Sequence, residues 1–256
     1  MKISIITATF NSAATVRDTI ESVLGQTHQD WELIIKDGGS KDNTLSICSH
    51  YTDERIRIIA TPDKGIYDAM NQGIEAATGD VIGVLNSDDF YYDNTVLADI
   101  AKAIEEGADA TCGNLHFVDA NDTSKVVRTW IGSPYESFRK GWHPAHPTFY
   151  AKREFFEKYG AFDITYDVSA DFELMLRFIE KHGAKVQYLN RVMVKMRQGG
   201  ESTGSIKNII KGNKNIIRAF KKNDIPVPAF YTLRRLVPKA WNVVETKIGI
   251  NNKYTK

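Results

Sequence analysis

Along the chain, short apolar runs alternate with longer stretches whose apolar residues recur at helical spacing. The apolar runs, which predict buried strands, cover residues 3–7, 31–36, 56–60 and 81–85. The amphipathic stretches, which predict helices, cover residues 13–25, 43–51 and 67–77. Strands that alternate with helices over short connections indicate an α/β fold with a mostly parallel sheet flanked by helices.

A polar turn follows each of the four predicted strands. These turns cover residues 9–11, 37–40, 63–65 and 87–89. Since the carboxyl ends of parallel strands share one edge of a sheet, we expect the four turns to surround one ligand pocket. In the last turn, Asp88 and Asp89 offer two adjacent carboxylates, which suit a hard divalent cation that also takes oxygens from a diphosphate. An ordinary acidic surface turn is the alternative that this stretch alone leaves open.

Two common nucleotide-binding motifs are missing from the sequence. No Gly-x-Gly-x-x-Gly follows the first strand, and Gly-x-x-x-x-Gly-Lys-Ser/Thr does not occur. The first absence argues against a dinucleotide-dependent enzyme, and the second argues against a P-loop NTPase.

The alternation continues through the second half of the chain. Helices are predicted near residues 96–104 and 152–159 and from residue 169, and strands near residues 109–118 and 186–196. Between them, residues 119–145 are irregular and rich in glycine, proline and aromatic residues. Asp171 falls in the first turn of the helix that begins at residue 169, where a carboxylate also interacts favourably with the helix dipole.

The net charge of +1 conceals an uneven distribution. From Ser205 onward there are twelve Lys and Arg residues and only two acids, so this segment carries +10 and the remainder −9. Apolar residues recur near helical spacing between the basic ones. The pattern indicates either helices that pack on the rest of the protein or an interfacial anchor on an anionic membrane. Nucleic-acid binding is disfavoured because no recognition motif accompanies the charge.

Cysteine usage and the N-terminal residues bear on location. Cys48 and Cys112 lie in apolar surroundings and form no Cys-x-x-Cys motif, which predicts a reducing compartment and no zinc site. The N-terminus lacks the long apolar region and cleavage site of a signal peptide. No stretch reaches the roughly eighteen apolar residues of a membrane span. We therefore expect a cytoplasmic protein.

Seven short motifs, in this order, carry a resemblance to a known enzyme family. They read SIITATFNSAATVRDTIESVLGQT, IIKDGGSKDNT, PDKGIYDAMNQGIEAATGD, LNSDD, HPTFYAKREFFEKYGAFD, ADFELMLR and MRQGGES. Together they resemble the family 2 glycosyltransferases with the GT-A fold, in particular bacterial enzymes that build surface polysaccharides. The resemblance covers residues 1–204. It implies a nucleotide-binding half over residues 1–118 and an acceptor half over residues 119–204, followed by a basic helical extension over residues 205–256.

The resemblance also implies roles for individual residues. Asp89 would coordinate Mn²⁺ or Mg²⁺ against the donor diphosphate, Asp88 would contact the ribose, and Asp171 would be the general base. The residues that would bind the nucleotide-sugar are Thr9, Phe10, Asn11, Asp37, Lys64, Asp68, Asn71, Ser87 and Asp88. Those on the acceptor or diphosphate side would be His143, His146, Arg197 and Ser202, although a structural role for the two loop histidines is equally open.

The function expected from this resemblance is metal-dependent, inverting transfer of a sugar from a UDP-sugar to a hydroxyl of a lipid-linked glycan. The chemistry agrees with the residue types, because a carboxylate-bound cation neutralises the leaving diphosphate and a helix-borne carboxylate can deprotonate the acceptor. The basic extension would then lie at the inner face of the cell membrane, and a homo-oligomer is compatible with the sequence. The alternatives are a sugar-1-phosphate nucleotidyltransferase and a non-catalytic partner that binds nucleotide-sugars.

Overall fold

The structure is a computed structural model that describes residues 1–199, 206–229 and 231, with only the backbone of residues 206–209. Ser202 and most of the basic extension therefore lie outside the described residues. No helix within the described ranges is long and apolar enough to cross a membrane.

The first half of the chain contains four strands, each followed by a polar turn. Its elements are β1 (Ile3–Thr9), α1 (Val16–Leu24), β2 (Trp31–Asp37), α2 (Thr44–Ser49), β3 (Ile56–Ala60), α3 (Ile66–Ala76) and β4 (Val81–Val84). All seven were predicted from the apolar periodicity, with bounds that differ by a few residues. β1, β2 and β4 are buried along nearly their whole length, as their unbroken apolar runs require.

The second half adds shorter strands and the remaining helices. Its elements are β5 (Asp89–Tyr91), α4 (Val96–Glu105), β6 (Ala110–Val118), β7 (Val126–Trp130), β8 (Tyr150–Lys152), α5 (Arg153–Tyr159), α6 (Ala170–Met175), β9 (Val186–Arg197) and α7 (Ile206–Lys222). α6 continues directly into a π-helical stretch, Leu176–Lys181. Three of these strands were not predicted: β5, β7 and β8.

The nine strands described form one mixed sheet in the order β3-β2-β1-β4-β8-β6-β9-β5, with β7 paired to β6. β1 to β4 are mutually parallel, and β6 and β9 are parallel to each other. β5, β7 and β8 run antiparallel to their neighbours. Six of the nine strands thus share one direction, and the predicted α/β class with a mostly parallel sheet is confirmed.

The seam between the two halves of the sheet is the pairing of β4 with β8. Gly83 of β4 lies opposite Tyr150 of β8, whose ring occupies the space that a Cβ at position 83 would need. The Tyr150 hydroxyl is 2.6 Å from the hydroxyl of Tyr91 on β5. Tyr150 of β8 therefore contacts both β4 and β5, the strand before Asp88 and the strand that begins with Asp89.

Two hydrophobic clusters form the core. One contains Ile6, Ile34 and Ile82 together with α6 and α7, and the other contains Ile5, Leu33 and Val81 together with α1 and α4. Since neighbouring residues of β1, β2 and β4 divide between them, the clusters lie on opposite faces of the sheet.

The start of the basic extension packs on the rest of the protein. Phe220 and Ala219 of α7 are completely buried, and the Phe220 ring lies 6.0 Å from that of Phe172 on α6. Asn215 donates to the Val168 carbonyl at 2.8 Å, and Arg218 donates to the Thr165 carbonyl at 3.1 Å. α7 therefore packs against α6 and the segment that precedes it. For this part of the extension, this is the first of the two predicted alternatives, helices that pack on the rest of the protein.

Candidate active site

The carboxyl ends of β1 and β2 are joined by the side chain of Asp37. Its Oδ2 accepts hydrogen bonds from Thr9 Oγ1 at 3.0 Å and Ser40 Oγ at 2.5 Å, and its Oδ1 accepts from the backbone N–H groups of Gly39 and Ser40. Burial raises the pKa of Asp37, but these hydrogen bonds outweigh it and lower the pKa below its ordinary value. The ionised carboxylate thus folds the turn after β2 and holds Thr9 beside it.

The turn after β1 presents an aromatic ring to solvent. Phe10 is 64% exposed, which is unusual for a phenylalanine and leaves its face available to a flat ligand such as a nucleotide base. Asn11 beside it adopts a left-handed conformation with φ of 52°. Asn11 is held there by two hydrogen bonds, from its N–H to Ser40 Oγ at 2.8 Å and from the Lys41 N–H to its Oδ1 at 2.8 Å.

Ser87 connects this first turn to the acidic residues. Its Oγ lies 2.8 Å from Ser12 Oγ, and the backbone N–H of Ser12 donates to Thr44 Oγ1 at 2.7 Å. The turns after β1, β2 and β4 are therefore in hydrogen-bond contact, as the parallel-sheet argument predicted.

The acid pair, Asp88 and Asp89, lies between β4 and β5. Asp88 is half-buried, whereas Asp89 is completely buried and begins β5. Asp89 Oδ2 accepts a hydrogen bond from Asn86 Nδ2 at 3.0 Å, but its Oδ1 has no hydrogen-bond partner among the described residues. Burial, and then repulsion from Asp88, raises the pKa of Asp89 well above its usual range. Burial likewise raises the pKa of Asp88.

These features fit a divalent cation. No group of three or more His, Cys, Asp or Glu residues is placed to hold a metal within the described ranges. Two carboxylates are nevertheless sufficient for Mg²⁺ or Mn²⁺ when water and a ligand diphosphate supply the other oxygens. The unpartnered Oδ1 of Asp89 is an available hard ligand, and a cation would relieve the repulsion within the acid pair.

Arg197 is buried beside the acid pair. Its guanidinium donates to the backbone carbonyl of Asp88 at 2.7 Å and pairs with the carboxylate of Asp18 on α1. It also lies 5.1 Å from the centroid of the Phe90 ring. Arg197 is buried, and its charge is compensated by Asp18. Through its hydrogen bond to Asp88 it stabilises the start of β5, which carries Asp89.

His146 brings Asp171 to the acid pair. Its Nδ1 lies 3.4 Å from Oδ2 of Asp171, and its Nε2 lies 3.4 Å from Nδ2 of Asn86. Asn86 in turn donates to Asp89, so one chain of polar contacts runs from Asp171 to Asp89. His146 and Asp171 are 31% and 29% exposed, so a ligand can reach both side chains.

His143 has more apolar surroundings than His146. Its ring makes edge contacts with Trp130 at 5.2 Å and Phe172 at 5.9 Å between ring centroids. Its Nδ1 lies 3.3 Å from the Gly141 carbonyl. His143 thus packs with Trp130 and Phe172 in an aromatic group beside Asp171, since Phe172 is the next residue along α6.

The predicted donor residues of α3 make local contacts. Asp68 accepts from the backbone N–H of Lys64 at 2.9 Å, which fixes the turn at the start of the helix. Asn71 exchanges two hydrogen bonds with the backbone of Phe162, at 2.8 and 2.9 Å. The Lys64 side chain is exposed at the same edge of the pocket. The nucleotide contacts expected of these three residues remain predictions.

Sequence reasoning did not identify two residues that organise the site. Asn86 links Asp89 to His146, and Asp18 neutralises Arg197 from α1. Asn86 could have been found from its place in the LNSDD motif, three residues before Asp89. Asp18 gave no such signal, because its partner is 179 positions away in sequence.

Comparison with known proteins identifies the family of the chain. The model of the family described as Glycosyl transferase family 2 matches residues 4–167. A PGL/p-HBAD biosynthesis glycosyltransferase of Mycobacterium bovis is 30% identical over 215 residues, which cover 79% of each chain. The enzyme WfgD of Escherichia coli, named as a UDP-Glc:alpha-D-GlcNAc-diphosphoundecaprenol beta-1,3-glucosyltransferase, is 32% identical over 120 residues, which cover 46% of this chain and 47% of WfgD.

Two solved structures share the fold. S. aureus TarS 1–349 in complex with UDP-GlcNAc superposes with a TM-score of 0.67 at 18% identity, over 92% of this chain and 70% of that one. The mannosyltransferase PcManGT of Pyrobaculum calidifontis, in complex with GDP-Man and Mn²⁺, superposes with a TM-score of 0.63 at 19% identity, over 96% and 73% of the two chains. The expected GT-A fold is confirmed, and the chain belongs to glycosyl transferase family 2.

Proposed function

We propose that this glycosyltransferase moves a sugar, with inversion, from a UDP-sugar to a hydroxyl of a lipid-linked glycan in bacterial surface polysaccharide synthesis. The observation that carries the proposal is the polar chain from Asp171 through His146 and Asn86 to Asp89. This chain links a candidate base to a candidate metal ligand, which supports a site where a donor and an acceptor would meet. Bringing two reactants together in this way supplies a large part of the rate enhancement of a transferase.

The donor would bind across the turns after β1, β2 and β4. Phe10 offers its exposed face to the base, while Asp37 and Thr9 keep the floor of this pocket in place. Asp88, the more exposed member of the acid pair, would contact the ribose. Asp89, with Asp88 beside it, would hold Mn²⁺ or Mg²⁺, and the cation would neutralise charge on the departing diphosphate.

Asp171 would remove the proton from the acceptor hydroxyl. It lies in the first turn of α6, a helix fixed by buried neighbours on both sides, so its carboxylate has a defined position. With Nε2 of His146 facing the Asn86 amide, Nδ1–H can donate to Asp171 and orient it. A single base on the face opposite the leaving group gives one displacement and hence inversion at the anomeric carbon.

The lipid-linked acceptor is supported by the relatives and by the basic extension. The name of WfgD specifies a diphosphoundecaprenol acceptor. α7 exposes Lys214 and Lys221, and Ile210 on the same helix is 54% exposed, a combination that suits an anionic membrane surface. We therefore include in the proposal that residues 205–256 contact the inner face of the membrane. The proposal also includes the division into a donor half (residues 1–118), an acceptor half (residues 119–204) and this extension.

The test is to measure transfer and nucleotide binding separately in Asp171→Asn. A panel of sugar nucleotides with Mn²⁺ identifies the donor by thermal stabilisation or slow hydrolysis. We expect the substitution to reduce transfer by about 10²–10⁴-fold while UDP binding is retained, because the base does not contact the nucleotide. Loss of UDP binding in Asp171→Asn would show a structural role, and the absence of any nucleotide binding by the wild-type protein would reject the function.

A further inference from the structure

Arg128 on β7 is a half-buried cation that has no anionic partner among residues 1–199, 206–229 and 231. Its guanidinium lies 4.0 Å from the centroid of the Phe117 ring, and burial lowers its pKa. The other described arginines that are not exposed all pair with a carboxylate: Arg55, Arg153, Arg177, Arg191 and Arg197. Since withdrawing a charge from water costs free energy unless a counter-charge compensates, Arg128 is suited to receive an external anion.

The register of the sheet places Arg128 on the face that carries Asp89. Asp89 pairs with Met196, Met196 with Phe117, and Phe117 with Arg128. Residues paired across neighbouring strands project to the same face of a sheet. Arg128 is three strands from Asp89 and its guanidinium lies over Phe117, which is two strands away, so at the usual strand spacing the guanidinium is roughly 10–14 Å from the acid pair.

Trp130 extends this surface towards Asp171. It is two residues beyond Arg128 on the same strand and therefore on the same face. Its ring contacts His143, and His143 contacts Phe172, the neighbour of Asp171. We call Phe117, Arg128, Trp130 and Met196 the acceptor wall. Phe117, Trp130 and Met196 pack against the cluster of α1 and α4, and the contacts of Trp130 with His143 and of His143 with Phe172 link this wall to α6.

We propose that Arg128 binds a phosphate group of the acceptor. This inference rests on the proposed function and names the part of the acceptor that its site would recognise. The planar guanidinium can form two parallel hydrogen bonds to a phosphate, and its stacking on Phe117 fixes the plane in which they form. The donor diphosphate, held at the acid pair, is too distant to satisfy it. A phosphate one or two sugar rings from the reacting hydroxyl, as in a sugar linked to a lipid by diphosphate, matches the separation.

The first test uses NMR to measure the binding of phenyl phosphate to the full chain saturated with UDP and Mg²⁺. We expect the wild-type protein and the exposed-arginine control Arg139→Met to bind it, and Arg128→Met to lose binding. Retained binding by Arg128→Met, or no binding by the wild-type protein, would overturn the proposal. Binding of glucuronate in place of phenyl phosphate would also overturn it, by showing that the anion is the carboxylate of an acidic sugar.

The second test compares two acceptors that carry the same sugar, one linked to a lipid by diphosphate and one linked to a neutral alkyl chain. In Arg128→Met we expect kcat/KM for the diphosphate acceptor to fall by about ten- to a hundredfold, the range for a hydrogen bond to a charged group. The neutral acceptor should be affected little, and Arg128→Lys should recover part of the preference. An equal fall for both acceptors would show that Arg128 only supports the sheet. Failure of the proposed function would be distinct, since wild-type UDP binding would then be absent.

Discussion

His146 Nδ1 lies 3.4 Å from Asp171 Oδ2, although His146 begins a short 3-10 helix, His146–Thr148, that β8 and α5 separate from α6. The opposite nitrogen of the same ring faces Asn86, beside the acid pair. One imidazole therefore spans the gap between the residue that would accept the proton and the residues that would hold the cation. In the proposed reaction, His146 would couple the acceptor side of the site to the donor side.

Removing the imidazole of His146 should slow transfer without weakening donor binding. In His146→Ala, Asp171 loses its orienting partner, and we expect kcat to fall by about ten- to a hundredfold, as for other groups that orient a reactive side chain. KM for the donor should change little, because the turns after β1 and β2 are untouched. Steady-state kinetics with both substrates varied measure this, and His50→Ala, an exposed histidine, is the control. A change in donor KM alone would instead place His146 on the nucleotide.

Asp89→Asn should uncouple nucleotide binding from the divalent cation. The substitution keeps the size of the side chain but removes the charge that would hold Mn²⁺ or Mg²⁺. Titration calorimetry should show that UDP binds more tightly with Mn²⁺ than with EDTA, both to the wild-type protein and to the control variant Asp122→Asn. The difference should vanish in Asp89→Asn. If the difference persists there, another group binds the metal.

Charge reversal on α7 should weaken binding to anionic vesicles. Lys214 and Lys221 are exposed, whereas Ile216 and Phe220 between them are buried in the core. The variant with Lys214→Glu and Lys221→Glu should therefore fold normally but bind vesicles with phosphatidylglycerol about tenfold or more weakly, since each lysine near such a surface contributes about 1 kcal/mol. Cosedimentation measures this, with neutral vesicles as the control. Undiminished binding would move the membrane contact elsewhere.

Glu32 should give the protein a stability that is lost in acid. Burial raises the pKa of this residue, but hydrogen bonds from Ser4, Thr78 and Lys2 outweigh burial and lower the pKa to about 2. Because the pKa in the folded state is below the ordinary glutamate value of 4.5, this stabilisation is complete above pH 4.5 and disappears as the pH falls towards 2. Urea unfolding between pH 7 and pH 3 should show a steep decline for the wild-type protein and for the exposed-site variant Glu136→Gln. The decline should be shallower for Glu32→Gln, and equal slopes would contradict the assignment.

The long elements could be read from the sequence, and the short strands could not. Helices such as α1 and α4 repeat their apolar residues several times, and β1 and β2 are unbroken apolar runs, so periodicity identifies them. β5 and β8 have three residues each, which is too few to show a period. They form strands because tertiary neighbours pair with them, and β7 forms within a segment whose glycine and proline content predicted irregular structure.

The candidate site was predictable as a set of residues but not as a set of contacts. Asp88, Asp89 and Asp171 were identified from motifs and from their positions after a strand and in a helix. The contacts of Arg197 with Asp18 and of His146 with Asn86 depend on how distant segments meet. Neither contact has a local sequence pattern, because each joins residues whose neighbours in sequence belong to different elements.

The pairing of β5 with β9 determines when the site can form during synthesis. Asp89 begins β5, and its only strand partner in the described structure is β9, about a hundred residues later in the chain. A nascent chain that ends before Met196 therefore has the acid pair in sequence but no neighbouring strand to fix it. Such late, non-local pairing slows folding and leaves a strand edge exposed until it is complete. The chain must therefore be synthesised through β9 before a paired strand can hold the acid pair in place.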